Sequence, residues 1–212
     1  LNFMATGEMS TDKNAIFAMG FPGCGKSHYL KKWADLHNCM IAKKGIQENE
    51  VYDLVKDKAG IYLSKDILNP LKGKVKPFDS ILRQAVQHTK LIVIDNNNSN
   101  FFQYRWNLDT VVKAGFRVTF VIPQEIESPE MLLLSLNSIM SRPDHGTMSD
   151  TEPKHAAESC FNCRKLLELP EVNKKIHHIL QIPFLNEGYE SKVDEDSREH
   201  CQKVLQSVPP GN

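Results

Sequence analysis

The stretch AIFAMGFPGCGKSHYL, residues 15 to 30, decides how the chain is read. A short apolar run, Ala15 to Met19, meets Gly20, Phe21, Pro22, Gly23, Cys24, Gly25, Lys26 and Ser27, which satisfies the pattern G-x-x-x-x-G-K-[ST] without substitution. Glycines at 20, 23 and 25 let successive backbone N–H groups turn inward, so the loop is expected to cradle an anion at a helix N-terminus. Lys26 is placed to reach outer phosphates and the Ser27 hydroxyl to ligate Mg²⁺, with Cys24 and His28 as further contacts of the loop. The pattern needs a strand before it and a helix after it. Tyr29, Leu30, Trp33, Ala34 and Leu36 supply that helix by their spacing, while Lys31 and Lys32 fall on its other side.

Bulk properties set the frame around this loop. A chain of 212 residues has room for one α/β domain and a small appendage. Hydrophobic residues make up 41% and charged residues 25%, ordinary values for a globular protein in water. No apolar run approaches a membrane span, and the opening LNFMATGEMSTDKN lacks the charged-then-apolar order of a signal peptide. The 26 basic residues balance 26 acidic ones, which excludes a chain that coats nucleic acid through net charge but leaves room for a local basic groove. Five scattered cysteines (24, 39, 160, 163, 201) suit reduced thiols, so an intracellular location, cytoplasmic or nuclear, is expected.

Outward from the loop, strands and helices alternate. Residues 1 to 14 read as a lead-in, Met40 to Ala42 as a short strand, and Ile46 to Val55 as a helical pattern. Gly60 to Asp66 reads as a strand whose C-terminal end delivers Asp66. A loop with Lys72, Lys74 and Lys76 leads to a helix from Phe78 to about Thr89. The continuous run Leu91 to Ile94, ending at Asp95, has the mark of a central parallel strand. Residues 101 to 114 predict a helix closed by Gly115, and Phe116 to Ile122 a strand stopped by Pro123. A leucine-rich helix from about Pro129 to Met140 precedes a lid near 141–147, and 153 to 182 suggests two more helices around Pro170. The expected whole is an α/β fold: a parallel sheet of four or five strands within residues 15–150, then a helical extension and polar tail over 151–212 that includes a short helix at 195 to 206.

In such sheets ligands bind at the C-terminal strand edge, where the loop, Asp66 and Asp95 all fall. Phosphoryl transfer needs a cradle for the donor, neutralised charge, a positioned acceptor and exclusion of water. Asp95 has the position of the second acidic motif of P-loop enzymes and is a candidate Mg²⁺ ligand with Ser27; an Asp that only serves the following turn is the plainer alternative. Asp66 is placed to accept a proton from an attacking hydroxyl, or else to cap a short helix. Arg142 and His145 suit a lid that clamps phosphates, since arginine matches phosphate geometry in a fork.

The GFPGCGKS loop, the strand ending in Ser64, Lys65 and Asp66, the run IVIDNNN, the helix with Arg105 and the segment Arg142 to Gly146 together resemble the polynucleotide kinase branch of P-loop kinases. That branch includes 5′-hydroxyl kinases of nucleic-acid repair and the N-terminal part of cyclic-nucleotide phosphodiesterases, and the likeness covers roughly residues 14 to 150. The resemblance implies ATP and Mg²⁺ at Lys26 and Ser27, Asp66 as general base for a 5′-hydroxyl, and acceptor contacts from Asp95, Asn96 and Asn98. It also implies Arg142 and His145 in the lid and a nucleic-acid acceptor, RNA or a single-stranded end, with no membrane. Asn97 stands where the family usually has threonine, and Asn69 where it commonly places an arginine for the acceptor's 3′-phosphate; Arg105 is the candidate replacement. A small-molecule kinase and a nucleotide-binding module without turnover are the alternatives.

Other signals carry less. Cys160 and Cys163 form a single CxxC, and with adjacent His177 and His178 they make a poor zinc set, so buried or exposed thiols are the competing reading. Asp57 to Gly60 matches a GTPase DxxG, but before a strand and without an N-K-x-D. The paired H-x-[ST] motifs of a 2H phosphoesterase are absent from the sequence.

Overall fold

Two apolar segments far apart in sequence, NAIFA and LIVI, form the middle of the molecule because their side chains are covered on both faces. In the computed structural model, which describes residues 12–20, 24–70, 72–140, 153–182 and positions 199, 202, 203 and 206, they are β1 (Asn14–Ala18) and β4 (Leu91–Ile94). They pair in parallel from Asn14 with Leu91 to Phe17 with Ile94. The remaining strands are β2 (Cys39–Ile41), β3 (Gly60–Leu63), β5 (Arg117–Pro123) and β6 (His178–Ile182). All pairings are parallel, in the order β2-β3-β4-β1-β5-β6. The helices are α1 (Lys26–Leu36), α2 (Val51–Val55, after a 3-10 turn at Glu48–Glu50), α3 (Lys65–Leu68), α4 (Pro77–His88), α5 (Phe101–Lys113), α6 (Pro129–Met140) and α7 (Pro153–Lys165).

The expected α/β fold is present, with corrections at its C-terminal side. The sheet has six strands rather than four or five. Of the two helices expected over 153–182, only α7 forms; the chain beyond Pro170 returns to the sheet as β6, pairing with β5 from Thr119 opposite His178 to Pro123 opposite Ile182. Ile176, Ile179 and Leu180 sit at a spacing that a helix also accepts, and the partner that selects a strand lies on β5. The region after residue 150 is therefore part of the sheet as well as a helical addition. Of the short helix expected at 195–206, positions 199, 202, 203 and 206 are described, all helical.

Alternation along β1 divides the core. Ala15, Phe17 and Met19 face a layer built from α2, α4 and α5 through Val51, Ile81, Leu82, Ala85, Tyr104 and Leu108. Ile16 and Ala18 face α1 through Tyr29, Leu30 and Trp33. Phe17 stacks on Phe120 of β5 with ring centres 5.1 Å apart, and Tyr104 meets Phe120 edge-on at 4.8 Å. Pro77 opens α4 at a position where no N–H is needed, and Asn100 opens α5 by accepting from the Gln103 N–H at 3.1 Å. Gly60 answers a packing need: a Cβ there would collide with the Leu91 carbonyl where β3 meets β4, which accounts for this glycine without a GTPase motif. Among the described residues no helix is long and apolar enough to cross a membrane.

Candidate active site

The loop after β1 is anchored by the three asparagines that follow β4. The Gly20 N–H donates to the Asn97 carbonyl at 3.1 Å, and the Met19 N–H to Val121 at 3.0 Å. Asn98 adopts a left-handed backbone (φ 48°), a conformation asparagine tolerates, and its Nδ2 donates to the Ala18 carbonyl at 2.6 Å. Asn96 Oδ1 accepts from the Lys65 N–H at 2.9 Å. Side chain, backbone, side chain: the run thus ties together the C-terminal ends of β1, β3 and β4.

Within the loop two glycines are required by geometry. Gly25 has φ 89° and caps α1. Gly20 has no room for a side chain, since a Cβ there would lie 2.6 Å from Cys24 Sγ and 3.3 Å from Lys26 Cδ. Phe21, Pro22 and Gly23 lie outside the described residues. Cys24 is buried, and burial pushes its thiol up, so it is a packed and protonated group at neutral pH. His28 is exposed on α1.

Asp95 is the centre of the site. It ends β4, is 2% exposed, and its Oδ2 accepts a short hydrogen bond from the Tyr62 hydroxyl of β3. Its Oδ1 is buried with no hydrogen-bond partner and lies 3.8 Å from Lys26 Nζ. Burial lowers the Lys26 pKa, but the Asp95 carboxylate and the other acidic groups around it, Asp66 among them, together outweigh burial and hold the ammonium above its ordinary value. Burial and the Asp95 charge push the Tyr62 phenol strongly up, which keeps it a donor, and the Ser27 hydroxyl lies within hydrogen-bonding reach of the phenol oxygen. A buried carboxylate oxygen without a donor, with a serine hydroxyl beside the phenol that holds the same carboxylate, is the oxygen-rich and incompletely satisfied chemistry that suits a hard divalent cation. The residues present fit Mg²⁺, which Asp95 and Ser27 would hold.

Asp66 stands in the first turn of α3, exposed, and contributes to the field at Lys26 and Tyr62. The four-residue α3 has Ser64 as its N-cap, so Asp66 is not the capping residue. Asp66 lines a cavity of about 270 Å³ with Lys65, Asn96, Asn97, Asn98 and Gln103. Asn96 Nδ2 is buried without a partner. Asn69 uses its Oδ1 to accept from the Phe78 N–H at 3.1 Å, tying α3 to α4. Arg105 is held between rings, its guanidinium 4.0 Å from the Phe102 centre and 5.1 Å from that of Trp106; Gln103, two residues earlier on α5, lines the cavity instead. Arg142 and His145, with the expected lid at 141–147, lie outside the described residues.

Sequence reasoning missed Tyr62, Lys65 and Gln103. Lys65 adjoins Asp66 and was open to notice; Tyr62 acquires its partner only when β3 and β4 align in register. The CxxC is a buried structural pair: Cys163 Sγ lies 2.9 Å from Ser99 Oγ and 4.0 Å from the Gly20 carbonyl. Among the described residues no group of His, Cys, Asp and Glu forms a metal cluster, and His177 Nδ1 instead accepts from the Val118 N–H at 3.0 Å.

A glycine loop leading from β1 into α1, with the acidic strand β4 directly beside β1 in a parallel sheet, defines the P-loop NTPase class of α/β fold. No protein-family model and no curated protein sequence matches the chain. It is similar to a solved gluconokinase from Sinorhizobium meliloti 1021, with a TM-score of 0.44 and 13% identity over 93% of this chain and 96% of that one. It is similar also to the PezAT chromosomal toxin–antitoxin system of Streptococcus pneumoniae, with a TM-score of 0.45 and 14% identity over 97% of this chain and 91% of the other. A third likeness is to Chaetomium thermophilum Kti12 in complex with ADP-AlF3, at a TM-score of 0.45 and 12% identity over 92% of this chain and 98% of that one.

Proposed function

We propose that the chain is an ATP-dependent kinase that phosphorylates a hydroxyl, the 5′-hydroxyl of a single-stranded polynucleotide and RNA in particular. The observation that carries the reading is the meeting at one sheet edge of a donor cradle, the Asp95–Lys26 pair and the exposed Asp66 carboxylate beside an open cavity. Lys26 moves from Asp95 to the donor phosphates and neutralises charge as the terminal phosphoryl group leaves. Asp66 takes the proton of the acceptor hydroxyl, whose oxygen bonds to the γ-phosphorus as the bridging β–γ bond breaks and ADP departs. A Mg²⁺ ion, when bound, screens the phosphate charge. Asn96, through its unpartnered Nδ2, orients the acceptor. Asn98 holds the turn from which Asn96 projects. Arg142 and His145 complete the proposal as the lid that excludes water.

The test is a screen of purified protein with labelled ATP and Mg²⁺ against 5′-hydroxyl RNA, 5′-hydroxyl DNA, nucleosides and small polyols. Label on the 5′ end of the oligonucleotides is expected. Label on a small polyol with the oligonucleotides inert replaces this acceptor with a metabolite, a reading to which Asn69 lends weight because its amide is occupied by α4 and brings no charge.

A further inference from the structure

A second and larger cavity, about 430 Å³, opens between α4 and α5 beside the one that holds Asp66. Lys65 and Gln103 line both, so the two spaces share a wall. Gln103, Trp106, Asn107 and Thr110 face it from α5 at the spacing of one helix face, opposite Asp79, Leu82 and Arg83 of α4. Three observations characterise the occupant.

First, two large aromatic rings stand exposed beside the cavity. Trp106 is 69% exposed, and Phe102, one turn before it, is 70% exposed, with the Arg105 guanidinium between the two rings. Second, a polar group is buried and unsatisfied. Asn107 is 4% exposed, lines the cavity, and its Nδ2 has no hydrogen-bond partner, a costly state for an amide unless a ligand acceptor meets it. Third, positive charge predominates around the rim. Among the described residues Lys65 and Arg83, both in the lining, make no ion pair, against the single carboxylate of Asp79 there.

We infer that the α4–α5 cavity is the subsite for a downstream nucleotide of a single-stranded acceptor. Its base stacks on Trp106, a carbonyl or ring nitrogen of that base accepts from Asn107 Nδ2, and the connecting phosphate meets Lys65 and Arg83. Aromatic stacking with nearby basic groups is how unpaired bases are held without reading a long sequence, and a flat duplex end offers no single base to enter such a cleft. The assignment rests on the polynucleotide reading above, and it gives that reading a length requirement: a mononucleotide leaves the second cavity empty.

The chain has two tryptophans, and Trp33 is fully buried against His37, so a change in quenching by ligand reports on Trp106. The experiment titrates the whole chain, without ATP, with a 5′-hydroxyl RNA trimer and with a nucleoside 3′-phosphate. The trimer is expected to quench and shield Trp106 and to bind at least about tenfold more tightly than the mononucleotide. Trp106→Ala and the surface variant Arg83→Glu are each expected to weaken trimer binding about tenfold, read by anisotropy of a 3′-labelled trimer, with Arg83→Glu also flattening the salt dependence. The inference is overturned if trimer and mononucleotide bind alike, if both variants bind the trimer as the unaltered chain does, or if an acidic peptide shields Trp106 and RNA does not. Transfer is scored separately. Trimer binding through Trp106 without phosphorylation removes the kinase reading and leaves the subsite; phosphorylation with the trimer KM unchanged in both variants does the reverse.

Discussion

Asp95 and Lys26 are a buried ion pair whose facing carboxylate oxygen accepts no hydrogen bond, and such a pair is held by geometry rather than by a large net stabilisation. Removing one member leaves the other charge buried and alone. Lys26→Met is therefore expected to abolish transfer and also to lower the thermal midpoint of the ligand-free chain, which calorimetry without nucleotide will detect. Asp66 is exposed and bonds to nothing that the fold depends on, so Asp66→Asn should keep nucleotide affinity and the thermal midpoint while reducing kcat by about 10²–10⁴. Gly20→Ala should weaken ATP binding because the new methyl meets Cys24 Sγ; Cys24→Ala in the same chain should restore part of it, and equal affinities for single and double variants would refute this crowding. At this scale the loop, Asp95 and Asp66 were legible because each follows an apolar run at a strand end. Tyr62 was not, since a tyrosine within a strand reads as core until its cross-strand partner is known. The third asparagine, Asn98, has a backbone role that no motif reveals: loss of its Ala18 bond in Asn98→Ala should cost about 1–3 kcal/mol in urea denaturation.

Elements with strong local signals were the readable ones. The continuous apolar runs of β1 and β4 and the periodic faces of α4 and α5 fall where their patterns put them. The edge strand β6 was misread because only its last residue is fully buried, so no alternation marks it, and its bonds reach back to β5. Its entry is fastened by His177, whose Nδ1 accepts from the Val118 N–H and whose backbone N–H donates to Val118 at 3.0 Å. Partial burial, helped by the Arg117 charge, lowers the His177 pKa from 6.5. The folded chain then binds this proton less readily than the unfolded chain. The contribution is complete above about pH 6.5 and is lost as pH falls through the lowered folded value. Urea midpoints should accordingly drop between pH 7.5 and 5.5, and His177→Gln, which keeps an acceptor but cannot titrate, should show a smaller drop.

For the molecule as a whole, the sheet is both core and scaffold. Phe120 meets Phe17 and Tyr104 at once, so Phe120→Ala should cost about 3–5 kcal/mol and loosen the strand beneath the loop along with the rest. The class of fold could be read from the sequence because alternation of strands and helices is a chain-long pattern. The α4–α5 cavity could not, because it exists only where two helices separated by β4 come side by side.

The place of β1 between β4 and β5 also sets an order of events during synthesis. Asn14 meets its sheet partners Leu91 and Arg117 only after both have been made, although the loop it leads into is translated ahead of them. A nascent chain that ends before β5 carries a complete phosphate-binding motif on an unfinished strand, and it is expected neither to retain ATP nor to resist protease. Both properties should arise together once β5 has emerged, so that a motif translated ahead of its supporting strands functions only after them.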